Sequence, residues 1–384
     1  MRRRSQSIAF VVMLLGFTGC FTGGTPAPIV VGHVSDKTRL DKAGDQEELG
    51  IRLALHDVNN DSALADAFGG RKIEVHHTDA RGDLDKFESQ AVRLDSVNRS
   101  LALFGGLSVA ETAALSHAKV PLLTFHGQSA SGAGNQVFYL GMSPIRQGTV
   151  LAKFVAEDAK AIQVILMIDE GRAEATALAE SFQKTLAEVR RQDKDQDAKV
   201  LALRFAKDAK WSELIERMNA LEPHAIVFAG TVQDFNAWHK VFRREFLASD
   251  PQVLYAGSDG DQRFFDLEGD AKSSVVLATA LDCDPASQKV TVFKKAFRDA
   301  FPTEAEPDVH AAMAYDGFRM LVEAMKRTAA QLTPERVRDE LLKTKNFAGL
   351  TGPLTIPADR VVDRSLFLVR WQDRVVTPVK AYTP

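Results

Sequence analysis

From Ile29 onward, short apolar runs rich in β-branched residues alternate with longer segments whose apolar positions recur every three or four residues. The strand-like runs are Ile29 to Val34, Lys72 to His77, Leu101 to Gly105, Val120 to Phe125, Val164 to Ile168, Val200 to Phe205, Ala225 to Ala229, Val253 to Gly257 and Val275 to Leu281. Helix-length segments separate most of them. Gln46 to Asn60 places Ile51, Ala54, Leu55 and Val58 on one stripe, and Ala173 to Arg191 and Val309 to Arg327 repeat that spacing. Continuous apolar strands with helices between them predict parallel sheets covered on both faces, hence the α/β class. The crossovers are too many for one compact sheet, so two doubly wound lobes are the natural division. Past Phe347 the pattern changes to short strands at Leu354 to Ile356, Ser365 to Trp371 and Val375 to Val379.

Composition narrows the function classes. The 384 residues are 45% hydrophobic and 26% charged, a globular balance. Lys and Arg number 48 against 51 acids, and no basic block occurs beyond Arg2-Arg3-Arg4, so nucleic-acid binding is not expected. Two cysteines, Cys20 and Cys283, build neither a disulfide framework nor a four-thiolate zinc site. No His pair falls at ligand spacing near them, so neither metal nor cofactor is expected.

The first residues carry a targeting signal. Arg2-Arg3-Arg4, the apolar run Ile8 to Gly16 and the small residues Thr18 and Gly19 read as a signal peptide over residues 1–19. The run is shorter than the roughly 20 apolar residues a spanning helix needs. Phe17-Thr18-Gly19-Cys20 resembles a bacterial lipobox, which implies lipidation of Cys20 and anchoring to a membrane after export. Gly23 to Pro28 then reads as part of a flexible tether over 20–28.

Strand-to-helix junctions of a doubly wound sheet collect ligand groups, because backbone donors and short loops converge there. Here they read Gly106-Leu107-Ser108, Thr124 to Gln128, Asp169-Glu170-Gly171, Gly230-Thr231 and Gly257-Ser258-Asp259-Gly260. In that order they resemble the type 1 periplasmic binding proteins of the Leu/Ile/Val-binding family, the substrate receptors of ABC importers. The other marks are Asn59-Asn60, Gly69-Gly70-Arg71-Lys72-Ile73-Glu74, Asp79-Ala80-Arg81-Gly82-Asp83, Val120-Pro121-Leu122-Leu123, Ala314-Tyr315-Asp316 and Phe347-Ala348-Gly349-Leu350-Thr351-Gly352-Pro353. The resemblance implies two lobes joined by three crossovers near residues 143, 282 and 341. Lobe 1 would take 29–143 and 283–340, lobe 2 would take 144–282 and 341–384, and the lobes would close on a small ligand. It also implies a periplasmic location and a membrane permease partner.

The same resemblance assigns site residues. Ser108 with Val109, and Gly127 with Gln128, stand where the first lobe holds a ligand carboxylate. A serine is usual at Val109 and a threonine at Gln128. Asp259 stands where the second lobe pairs with an ammonium, Thr231 lies at a neighbouring strand end, and Ala173 replaces a tyrosine that covers the ligand in many relatives. Each has a plainer reading. Ser108 suits a helix N-cap, Asp259 suits a turn, and Arg172 suits either an acidic ligand group or an idle helix start.

Catalytic motifs dissolve on inspection. Ser116-His117-Ala118-Lys119 lacks the companion elements of penicillin-recognising enzymes, and Gly127-Gln128-Ser129-Ala130-Ser131 misses the last glycine of a nucleophile elbow. Asp193 to Asp197 has calcium-loop spacing without the required glycine. Trp211 and Trp238 read as packing residues, and Cys283 as a lone buried or hinge-side thiol. The expectation is a solute receptor, not an enzyme, binding a small amino acid or a related amine or carboxylate. Its rival is a regulatory or sensory lipoprotein of the same fold.

Overall fold

The computed structural model describes residues 26–39, 42–127, 134–192, 199–257, 274–304, 306–373 and 375–383. Cys20 with the signal segment, the Asp193 to Asp197 run, Gln128 and Asp259 lie outside the described residues.

Two sheets organise the chain. The first contains β1 (Ile29–Ser35), β2 (Ile73–Asp79), β3 (Leu103–Gly105), β4 (Leu122–Thr124) and β5 (Val137–Tyr139), all parallel, in the order β2-β1-β3-β4-β5. Between these strands run α1 (Ala43–Asn59), α2 (Ser62–Ala67), α3 (Leu84–Ser96) and α4 (Val109–Leu115). Strand β1 is buried on both faces, with Ile29 and Val31 packed in one core layer and Val34 in another with Phe87 and Leu94. That double burial is why its sequence reads as a continuous run.

The chain then leaves through α5 (Pro144–Glu157) into a second sheet of β6 (Gln163–Asp169), β7 (Lys199–Phe205), β8 (Ala225–Ala229), β9 (Gln252–Ala256) and β10 (Ser274–Thr279). Its helices are α6 (Ala173–Gln192), α7 (Trp211–Asn219) and α8 (Val232–Glu245). Trp238 is fully buried and stacks on Phe242 at 4.8 Å, with Phe228 and Phe235 beside it, as a packing residue should. Helices α9 (Gln288–Ala300), α10 (Val309–Arg327) and α11 (Pro334–Leu341) follow, and α10 lies against α1. Gly50 makes that approach possible: a Cβ there would stand 2.2 Å from the Ala311 carbonyl oxygen. Gly148 does the same where α5 meets α6, 2.4 Å from the Leu178 carbonyl oxygen.

The end of the chain departs from the expectation of purely parallel sheets. After the small hairpin β11 (Phe347–Gly349) and β12 (Gly352–Leu354), strands β13 (Leu366–Gln372) and β14 (Val375–Tyr382) add to β10 antiparallel. The physical reason for the β13–β14 pair is the short connection: Gln372 pairs directly with Val375, and so few residues join only antiparallel neighbours, whereas a parallel pair needs a long crossover. Residues before β13 still belong to the first sheet's surroundings. Tyr139 N–H donates to the Arg360 carbonyl at 2.9 Å, Val362 N–H donates to the Tyr139 carbonyl at 2.9 Å, and Val361 bridges Tyr139 in parallel. The chain therefore passes from Val362, bonded beside Tyr139, to β13 of the second sheet over Asp363 to Ser365. Among the described residues no helix is long and apolar enough to cross a membrane.

Candidate functional site

The C-terminal ends of the strands in both sheets carry the loops singled out by sequence. Behind the loops after β3 and β4 lies a hydroxyl relay. Thr124 donates to the Gly106 carbonyl at 2.7 Å, which uses its only proton, so Thr112 is the donor in the 2.8 Å contact between their Oγ1 atoms. His126 N–H also reaches Thr124 Oγ1 at 3.3 Å. The two loops are thereby held in fixed relation.

Ser108 is the N-cap of α4: its Oγ accepts the Glu111 N–H at 3.2 Å, and Glu111 Oε2 accepts the Leu107 N–H at 2.7 Å. These reciprocal bonds follow the logic of a capping box. Val109 is 40% exposed, so its apolar side chain faces outward beside Ser108. Gly127 is buried, and a Cβ there would stand 2.0 Å from the Met142 carbonyl oxygen, so close backbone approach fixes the residue type.

On the second sheet, Thr231 caps α8. Its Oγ1 accepts from Asp234 N–H at 3.1 Å and donates to Asp234 Oδ2 at 2.6 Å. The hydroxyl proton is thus committed. Ala173 opens α6 and is exposed. After β6, Asp169 accepts the Gly171 N–H at 3.0 Å. Burial pushes its carboxyl up, the Gly171 bond pulls it down, and the nearby charges of Asp234 and Glu174 push it up again against Arg172. The described second-sheet rim therefore sets the charges of Asp234, Glu174 and Arg172 near Asp169.

Across the cleft, His126 Nδ1 lies 3.9 Å from Glu174 Oε1, with the histidine side chain 2% exposed. Burial lowers the His126 pKa, Glu174 opposes that shift, and Arg172 adds to it. Neither His126 nor Glu174 stood out in the sequence, because nothing local to a lone His after a strand marks what faces it. Arg172 and Glu174 line a crevice of about 20 Å³ with Gln147, Gly230 and Gly257, room for about one water. A larger concavity of about 790 Å³ lies away from the strand ends, between α5 and α6, beside Ile145, Lys153, Glu180 and Lys184. Size alone does not locate the cleft.

Two helix-covered sheets whose loop-bearing ends meet, joined by several passages of chain, define a hinged solute receptor. The sequence model of the periplasmic binding protein family matches residues 28–375, and the chain belongs to that family. Members are extracytoplasmic solute-binding proteins and are not enzymes. No curated protein matches the sequence. Among solved structures, a leucine-binding protein LivK from Thermotoga maritima is 19% identical with a TM-score of 0.76, covering 93% of this chain and 99% of that one. The branched-chain amino acid transporter substrate-binding protein LivJ from Streptococcus pneumoniae, in complex with isoleucine, is 20% identical with a TM-score of 0.76, covering 93% and 100%. A solute-binding protein of an ABC transporter from Rhodopseudomonas palustris, in complex with 3,4-dihydroxybenzoic acid, is 17% identical with a TM-score of 0.73, covering 93% and 97%. At these identities the likeness establishes the fold.

Proposed function

We propose that this chain is the lipid-anchored solute-binding component of an ABC importer and takes a small ligand bearing an amine, an amino acid or a near relative. The observation that carries the reading is the acidic rim after β6 and β8, where Asp169, Glu174 and Asp234 outnumber Arg172. A cationic group entering that rim gains attraction from several carboxylates, strengthened as water is excluded. Asp259, three residues past the end of β9 in sequence, is the proposed ammonium partner. On the first lobe, Ser108 serves both readings given for it: its oxygen accepts from Glu111, and its proton remains to donate to a ligand carboxylate. Gln128 and the backbone at Gly127 supply the remaining donors. Thr231, with its proton given to Asp234, acts through that carboxylate. Cys20 holds the protein at the membrane beside its permease.

A second reading rests on Val109. An apolar side chain in place of a hydroxyl beside Ser108 suits an aromatic or aliphatic acid, the class bound by the Rhodopseudomonas relative. Native mass spectrometry of the freshly purified protein separates the two by weighing whatever co-purifies. Calorimetry with amino acids and with benzoates then follows. Binding of an amine-free acid with no amino acid bound removes the first reading. Failure of both classes removes the solute-receptor assignment to either.

A further inference from the structure

Outside the cleft, the register of the first sheet sets His33 on β1 directly beside His77 on β2. Their Nδ1 atoms are 2.9 Å apart, beneath α1. Glu48 from that helix brings a carboxylate oxygen to the pair, so that one donor atom from each of the three side chains lies within 4.8 Å of the others. His33 is fully buried, and its Nε2 faces Glu47 Oε2 at 3.8 Å, with Glu47 only 1% exposed. That neighbour lies beyond hydrogen-bonding distance but biases the tautomer. A carboxylate repels an imidazole lone pair, so the proton of His33 sits on Nε2 and the lone pair of Nδ1 points at His77. His77 then supplies the proton shared between the two Nδ1 atoms.

We infer that His33 Nδ1, His77 Nδ1 and Glu48 form a site for one divalent transition-metal cation of the zinc class, with Glu47 as the carboxylate that orients His33. Two imidazole nitrogens and one carboxylate oxygen are a common zinc donor set, completed by solvent. With bonds of about 2.0 Å, tetrahedral donors lie about 3.3 Å apart, so the pair of Nδ1 atoms needs to part by only a fraction of an ångström. A carboxylate on the far side of the ring is the usual support of a metal-bound histidine, and Glu47 would supply it by closing from 3.8 Å to hydrogen-bonding distance. His77 must pass its Nδ1 proton to Nε2, a change of tautomer and not of charge.

Charge balance adds a constraint. Lys37 Nζ lies 2.6 Å from Glu48 Oε2, and Arg52 lies 3.7 Å from Glu48 Oε1. A cation entering the site displaces the Lys37 ammonium, which is 37% exposed and has a flexible stem to swing into water. Lys37 is thus both the competitor and the door. The sequence hid the site because its two histidines lie on separate strands and meet only through sheet register.

The test is zinc titration of the full-length, chelator-treated protein at neutral pH, with cobalt as a spectroscopic probe. One equivalent of zinc should bind and raise the melting temperature, magnesium should not, and cobalt should give visible bands of a nitrogen and oxygen site. His77→Gln and Glu48→Gln should each weaken binding at least about tenfold, Glu47→Gln about 10- to 100-fold, and Lys37→Met should tighten it. A missing one-equivalent site at micromolar zinc, or one retained in both His77→Gln and Glu48→Gln, overturns the inference. If those variants fail to fold, the cobalt spectrum of the unaltered protein decides, and absence of the bands overturns it equally.

Discussion

Thr351 grips Asp316 twice, through its hydroxyl and its N–H, each 2.7 Å from the same carboxylate oxygen. Leu350 N–H takes the other oxygen at 2.7 Å, and Arg364 reaches Thr351 Oγ1 at 3.4 Å and the Leu140 carbonyl at 2.6 Å. Burial pushes the Asp316 carboxyl up against these bonds, and burial pulls the Arg364 guanidinium down to about 10 despite the attraction of Asp316. Two marks of the family resemblance, at Tyr315-Asp316 and at Gly349 to Gly352, are therefore one joint beneath the passage into β13. Thr351→Val should cost about 1–3 kcal/mol of stability by leaving a buried acceptor short of a donor. Asp316→Ala should cost about 3–5 kcal/mol because it strands Arg364. Chemical denaturation measures both, and a smaller loss for Asp316→Ala than for Thr351→Val would refute the joint as described.

His126 gives a pH dependence of defined sign. Its folded pKa lies below the ordinary 6.5, so below pH 6.5 the unfolded chain binds a proton that the folded chain refuses. The stabilisation is whole above that value and declines as pH falls toward the folded pKa. Glu174 and Arg172 face the ring and shift it in opposite senses. His126→Gln should flatten the fall in denaturation midpoint between about pH 6.5 and 5, the range just below the ordinary value. Equal slopes in parent and variant would show that His126 does not titrate with folding.

Ligand affinity should rank the three proposed polar anchors. Asp259→Ala should lose about 3–5 kcal/mol, or two to four decades, by leaving an ammonium unpaired in a closed cleft. Ser108→Ala and Gln128→Ala should lose about 1–2 kcal/mol each. Calorimetry with the co-purified ligand reads the order, and parental affinity in Asp259→Ala means that the ligand has no amine at that position.

Membrane attachment should depend on one atom. Cys20→Ser should move the protein to the soluble extracytoplasmic fraction, since the anchor is proposed to be carried by that sulfur. Retention in membranes after a high-salt wash would place the attachment elsewhere.

How far the sequence reached varies with the range of the interaction. Ala225 to Ala229 was delimited to the residue, as was Val309 to Arg327, because a buried strand and a long amphipathic helix announce themselves locally. Strands β5 and β11, each three residues long, offer too short a run for any period to register. Ser108 and Thr231 are visible in sequence as residues at strand ends, yet only their hydrogen bonds distinguish the first, which still has a proton to offer, from the second, which has none left. His126 with Glu174, and His33 with His77, belong to a further class. Their meaning lies in a partner supplied by another part of the chain, and spacing along one strand carries no trace of it.

Strand β13 separates β10 from β14, so the second sheet owes its outer strands to residues 366–382. The β10 edge stays open until β13 pairs with it, and closure across so long a stretch of chain is slow. Until then the lobe carries a sticky β edge, so loss of β13 would favour association between copies of the chain.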